Sequence, residues 1–234
     1  MAGTRDSSAI SRFSEEPWPR DHFPSVSFRL SCGQNRRREG QMSRLLRAAI
    51  LLVFLASCGG GRYSPPRDLE NACSIVAERP QYYRAMKATE RRWGIPVSVQ
   101  MATIHQESKF VGNARTPHQF LLGIIPMGRQ SSAYGYSQAL DGTWEEYMDE
   151  RRKRRARRDR IEDATDFMGW YMDGTTRRLG IPKWDATNQY LAYHEGRTGY
   201  SRGSHNAKPW LLAVAQRVGD REQRYRAQLT SCRR

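Results

Sequence analysis

What the sequence lacks narrows its reading before any motif is considered. Clean period-two alternation bounded by hairpin turns is nearly absent, which argues against a sheet-built domain and predicts a mainly helical one. The longest apolar run falls short of the about 20 residues needed to cross a bilayer. Cysteine is sparse: Cys32, Cys58, Cys73 and Cys232, with no pair at the two-residue spacing of a zinc knuckle or a thioredoxin-like site. His105, His118, His194 and His205 show no zinc-protease spacing, so no metal is expected. No internal repeat is visible. Acidic residues are outnumbered, 24 Asp and Glu against 39 Lys and Arg, and the chain carries a net charge of +15. Such a balance suits a polyanionic or anionic-surface partner. Nucleic acid, acidic lipid headgroups and cell-wall polymers all qualify, so charge alone does not choose among them.

What is present begins with an address. Residues 43–58 read SRLLRAAILLVFLASC: Arg44 and Arg47 precede an apolar run from Ala48 to Ala56, and small residues follow. That is the layout of a signal peptide. Leu55-Ala56-Ser57-Cys58 resembles the bacterial lipobox, which implies a lipidated Cys58 as the mature N-terminus. Gly59, which follows it, resembles the sorting position associated with the outer membrane, giving a lipid-anchored protein on its periplasmic face. Residues 1–41, rich in Arg, Ser and Pro, precede Met42 and are expected to be a mis-annotated or disordered leader. The signal peptide then covers 42–57, a flexible Gly-rich tether 58–67, and one folded domain 68–234. Removing residues 1–57 takes away nine basic and five acidic residues and leaves a charge of +11, so the basicity belongs to the domain. Export also argues against nucleic acid as the partner. It leaves Cys73 and Cys232 in an oxidising compartment, where we expect them to form a disulfide.

Proline, glycine and apolar periodicity lay out the helices. Pro66 is expected to open one running to about Ala77. Pro80 opens a second that ends at Trp93 with Gly94 beyond it. Pro96 opens a third from Val97 to about Ser108, with Val97, Met101 and Ile104 on one face. Thr143 to Glu146 fits a capping box at the start of a helix that continues into the basic run Arg151–Arg158. Further helices are expected over 162–179, ending at Gly180, over 187–193, and from Asn206 and Pro209 onward. The apolar stretch Phe120–Pro126 is expected to pack onto the domain.

The third helix ends in MATIHQESKF, where Glu107 flanks the apolar face. Desolvation beside apolar groups favours a protonated carboxyl, which suits a general acid. The stretch around Glu107-Ser108, the later AYGYSQAL with Gly135, Tyr136 and Gln138, the Thr143-Trp144-Tyr147 segment, and LAYHEG with Tyr193 and Glu195 follow one another in order. Together they resemble the soluble lytic transglycosylase family, of SLT-type lysozyme-like fold, over about residues 84–218.

The resemblance implies cleavage of peptidoglycan glycan strands between N-acetylmuramic acid and N-acetylglucosamine, with Glu107 as sole acid and base and no cofactor. It implies that Ser108 orients the Glu107 carboxyl or the acetamido group. Gly135 and Tyr136 belong to a motif that approaches the sugar, and Gln138 bonds it. Tyr193 points its hydroxyl at Glu107 or the substrate. The sequence departs from the family pattern at Tyr136-Ser137 and at His194-Glu195. Glu195 is either a second carboxylate near the cleft, which would permit hydrolysis as in a muramidase, or the ion-pair partner of an arginine. A non-catalytic wall-binding lipoprotein on the same scaffold is the remaining alternative. The basic run 151–158 is either a solvated face or a site of attraction to anionic wall polymer or headgroups.

Overall fold

The computed structural model describes residues 63–121 and 125–232, without the side chains of 118–127. The leader, the signal peptide, Cys32, Cys58 and the first part of the tether lie outside the described residues, as do the apolar side chains of Phe120–Pro126.

Seven α-helices and a short hairpin make up the described chain. Helix α1 (Ala72–Glu78) starts six residues later than Pro66 suggests. The reason is Asn71, whose side chain accepts from the Ser74 amide and caps the first turn. Helices α2 (Pro80–Trp93) and α3 (Val97–Ser108) form where proline and glycine predict them, and Gly94 closes α2 in the left-handed region at φ 74°. The mainly helical chain carries one short hairpin, β1 (His118–Leu121) and β2 (Ile125–Arg129), which pair antiparallel. The segment satisfies its backbone by pairing with itself, which apolar composition without alternation does not announce.

Helix α4 (Asp141–Glu150) begins two residues before Thr143, so the predicted capping box is not formed. Thr143 and Trp144 are buried inside the helix, and Asp141 occupies its first turn. Nor does α4 continue through the basic run, which folds as turns. Its side chains have competing partners that pull it out of helical register. Lys153 reaches Asp166 at 2.7 Å, Arg158 pairs with Asp141 at 2.6 Å, and Arg151 stacks on Trp93 at 5.0 Å. Helix α5 (Ile161–Leu179) ends at Gly180 as expected. Helix α6 (Ala186–Ser201) runs well past the expected 187–193, because Gly196 (φ 74°, ψ 157°) kinks the chain without ending it. A 3₁₀ turn (Ser204–Ala207) leads into α7 (Pro209–Ser231).

Helices α3 and α5 are the hubs. Eleven of the twelve residues of α3 are buried, all but Gln106. A helix covered on every side belongs in the core and not on its surface. It lies against α2, α6 and α7, while α5 packs against α2, α4 and α6. An aromatic cluster of Trp144, Tyr147, Phe167, Trp170, Tyr171 and Tyr193 fills the space beside α5, with successive ring centroids 5.2–6.3 Å apart. The disulfide expected from the cysteine count joins Cys73 in α1 to Cys232 after α7, their Cα atoms 5.3 Å apart. It ties the ends of the domain across 159 residues, worth about 4–5 kcal/mol on the chain-entropy account.

Candidate active site

The site is built where α3 stops. Its last turn presents Glu107 and Ser108, both buried, and the backbone then enters the left-handed region at two successive residues, Lys109 (φ 51°) and Phe110 (φ 62°). Non-glycine residues there cost on the order of 1–3 kcal/mol each and persist only where their surroundings hold them. Phe110 supplies the hold: it is fully buried and stacks on Tyr82 at 5.9 Å. The sharp exit leaves Glu107 at the end of a rigid, fully packed helix.

Two hydroxyls tie this end to the second motif. Ser108 Oγ donates to the Tyr136 carbonyl at 2.9 Å, and Tyr193 Oη, from α6, donates to the Ser137 carbonyl at 2.8 Å. Three stretches separated by tens of residues are thus joined at adjacent carbonyls. The second motif is itself clamped. Gly135 N donates to Ala114 O at 2.9 Å and Tyr136 N to Arg158 O at 3.2 Å. Gln138 Nε2 donates to the carbonyls of Ala114 at 3.1 Å and Gly135 at 2.8 Å.

Several expected roles change with these bonds. Ser108 spends its hydroxyl on backbone and positions the helix end, not the carboxyl. Gly135 (φ 82°) allows close approach, but to protein: a Cβ there would stand 2.1 Å from Arg158 O. Tyr136 points into the core, where its hydroxyl meets that of Tyr82 at 2.9 Å. The Gln138 amide donors are committed to the loop, in a residue 1 % exposed. Tyr193 is fully buried, with its hydroxyl on Ser137 and the Glu107 charge within electrostatic reach. These side chains form the frame behind Glu107.

The partner of Glu107 is a residue the motifs did not point to. Tyr190 lies one turn before Tyr193 on the same face of α6, and its buried hydroxyl is within electrostatic reach of the Glu107 carboxyl. Burial, then the interaction with the Glu107 carboxyl, pushes the Tyr190 phenol well above its usual range, so it stays protonated and able to donate. Tyr193 is pushed up for the same first two reasons. The signal was legible in principle: QYLAY places two tyrosines at helical spacing.

Glu195 is held elsewhere. Its carboxylate takes Lys208 Nζ at 2.7 and 2.8 Å, His194 Nδ1 at 3.1 Å and the Ser204 hydroxyl. Burial acts to raise its pKa, but these three donors outweigh it and hold the group below the usual carboxylate range. Glu195 is ion-paired, and the expected arginine partner is corrected to Lys208.

With this geometry in hand, the relationship to known proteins can be stated. The sequence model of the transglycosylase SLT domain matches residues 46–232. The chain belongs to that family. No curated protein matches it. As a family member it is a peptidoglycan lytic transglycosylase acting on the cell wall, and its helical architecture agrees with the SLT lysozyme-like domain. The match takes in the apolar run from residue 46 and Cys58 as well as the folded domain.

Proposed function

We propose that Glu107 alone supplies acid and base, cutting the β-1,4 bond from N-acetylmuramic acid to N-acetylglucosamine without water and leaving 1,6-anhydro ends. The observation that carries this reading is the contrast in surroundings. Glu107 is buried at the junction of the three motifs beside the phenols of Tyr190 and Tyr193, whereas Glu195 is bound by Lys208, Ser204 and His194. Two-carboxylate glycosidases need the second group about 5–9 Å from the first and free to act as nucleophile or base. A carboxylate already bonded to an ammonium, a hydroxyl and an imidazole does neither.

In the cycle, Glu107 gives its proton to the glycosidic oxygen as the bond to the muramic acid C1 breaks. The sugar's own acetamido oxygen supports the positive charge at C1. Tyr190 donates to the carboxylate just formed. That carboxylate then takes the proton of the C6 hydroxyl while its oxygen closes on C1. The proton returns to Glu107, no water is consumed, and the enzyme is ready for another turn.

The reading extends to location. We infer that translation starts at Met42, that residues 42–57 are removed, and that Cys58 is lipidated, with 58–67 as tether and 68–234 as the catalytic domain. This places the enzyme on the periplasmic face of the outer membrane. Intact-mass analysis of the precursor and mature forms checks it: a mass that includes residues 1–41, or an unmodified Cys58, overturns it.

The deciding experiment for the chemistry is mass spectrometry of peptidoglycan fragments released by the purified enzyme. Anhydro-muramic ends are expected. Reducing ends in their place mean a hydrolytic muramidase, and binding without cleavage means a scaffold.

A further inference from the structure

The basic run between α4 and α5 holds two sets of cations. Lys153 pairs with Asp166 at 2.7 Å, Arg157 with Asp159 at 2.7 Å, Arg158 with Asp141 at 2.6 Å and Arg160 with Asp163 at 3.7 Å. Arg151 lies on the Trp93 ring. These side chains fix the loop to the domain. Backbone bonds add to the hold: Lys153 N donates to Met148 O at 2.8 Å, Ala156 N to Lys153 O at 2.9 Å and Arg157 N to Asp163 Oδ2 at 3.1 Å. The second set is Arg152, Arg154 and Arg155. All three are exposed, and no acidic side chain among the described residues pairs with them. Asp149 and Glu150, on the last turn of α4, make no bond to them either. Three unpaired guanidinium groups are thus displayed on a loop that is itself held in place.

The chain enters the domain at this same loop. Tyr63, where the described chain begins, donates its hydroxyl to Asp159 Oδ2 at 2.8 Å. Arg157 holds that carboxylate through Nε at 2.9 Å and Nη2 at 2.7 Å. The Tyr63 ring also packs on Gly112, where a Cβ would stand 2.8 Å from its Cδ1. Five residue steps separate Tyr63 from Cys58. Fully extended, five steps cover at most about 18 Å. A lipid on Cys58 would therefore hold this corner of the domain within about two Debye lengths of the headgroups at physiological salt.

We propose that Arg152, Arg154 and Arg155 form a docking surface for anionic phospholipid headgroups beside the tether. A guanidinium group offers a phosphate two parallel N–H donors, and a basic patch near a charged bilayer adds to the hold of an acyl anchor. The anchor alone leaves the domain free to turn about its tether. The second contact fixes which side faces the bilayer. Any exposed face could meet a wall polymer, whereas the entry of the tether at this loop brings headgroups to this one. The inference rests on the reading of Cys58 as lipidated and extends it from an anchored enzyme to an oriented one.

The test uses the mature chain, residues 58–234, made without the signal peptide and carrying Cys58→Ser so that no lipid is attached. Cosedimentation is measured with vesicles of phosphatidylcholine alone and of phosphatidylcholine and phosphatidylglycerol in equal parts. Binding to the anionic vesicles only, weakening as salt is added, is expected. Arg154→Gln with Arg155→Gln should weaken it about tenfold. Arg177→Gln with Arg178→Gln removes the same charge at the far end of α5, about 25 Å from the loop by helical rise, and should change it less than about twofold. Both pairs are exposed, and melting curves check that the variants fold. Equal weakening by the two pairs reduces the effect to net charge and overturns the proposal. So does a loss of binding to purified sacculi, in place of vesicles, on substituting Arg154 and Arg155, which would assign the loop to wall polymer. The intact mass of the native mature protein tests the anchor separately. An unmodified Cys58 with the vesicle result intact removes the anchor and keeps the surface; a lipidated Cys58 with no vesicle binding keeps the anchor and removes the surface.

Discussion

Two buried carboxyls, Glu107 and Glu195, show how one residue type is put to two uses. Glu107 ends a straight, fully packed helix and faces the phenols of Tyr190 and Tyr193. Glu195 precedes the Gly196 kink of α6 and faces an ammonium, an imidazole and a hydroxyl. Each side chain is almost wholly removed from solvent. Burial therefore does not distinguish them; the direct bonds that Glu195 makes to Lys208, His194 and Ser204 do. A cation fixes a carboxylate in its ionised form and commits it to structure. Neutral donors tolerate both forms, which a group that must give and take one proton requires.

The sharpest break between the two is substitution by the isosteric amide. Glu107→Gln should lower glycan cleavage about a thousandfold, within the range of lost acid–base catalysis, while thermal unfolding stays close to wild type. Glu195→Gln should do the reverse: cleavage within about threefold once the protein is folded, and the anhydro product unchanged. Release assays on purified sacculi, paired with melting curves, measure both. Equal losses of activity would erase the contrast and return Glu195 to the chemistry.

The two tyrosines sharpen the same comparison from the other side. Tyr190→Phe removes the donor to Glu107 and should lower kcat about tenfold with KM little moved, as expected for one hydrogen bond to a charged group. Tyr193→Phe removes the bond to the Ser137 carbonyl instead. It should cost about 1 kcal/mol of stability and less activity than Tyr190→Phe. Steady-state kinetics with denaturation curves separate these outcomes. A larger kcat loss in Tyr193→Phe would show that the motif tyrosine, not its neighbour one turn earlier, serves the acid.

The helices and the order of the motifs could be read from the sequence because their signals are local. Pro80, Gly94, Pro96 and Gly180 mark boundaries through their own backbone preferences, and the structure keeps all four. The roles of the motif side chains could not be read, because each is decided by what lies across the fold. Gln138 is satisfied by Ala114, Gly135 is pressed by Arg158, and Ser108 meets the Tyr136 carbonyl. The basic run failed as a helix for the same reason: Asp166 and Asp141, distant in sequence from their partners, outbid helical register. Tyr190 has helical spacing from Tyr193, but no local feature says that this face of α6 meets the end of α3.

The smallest expected effect concerns pH and tests the ionised state of Glu195 directly. The folded pKa of this group lies below its ordinary value of 4.5. It therefore contributes stability that is complete above about that value and is lost as pH falls through the lower, folded value. Lys208 is 36 % exposed, so breaking the pair is screened on one side, and about 1–2 kcal/mol is the reasonable scale. Wild type and Glu195→Gln should thus differ in melting temperature at pH 7 and converge as the pH is lowered well below 4.5. Other carboxylates shift both curves, and the difference between the two proteins isolates this one. A gap that stays constant down to the acid limit would mean that Glu195 is not ionised against Lys208. The contrast with Glu107 would then lose its physical basis.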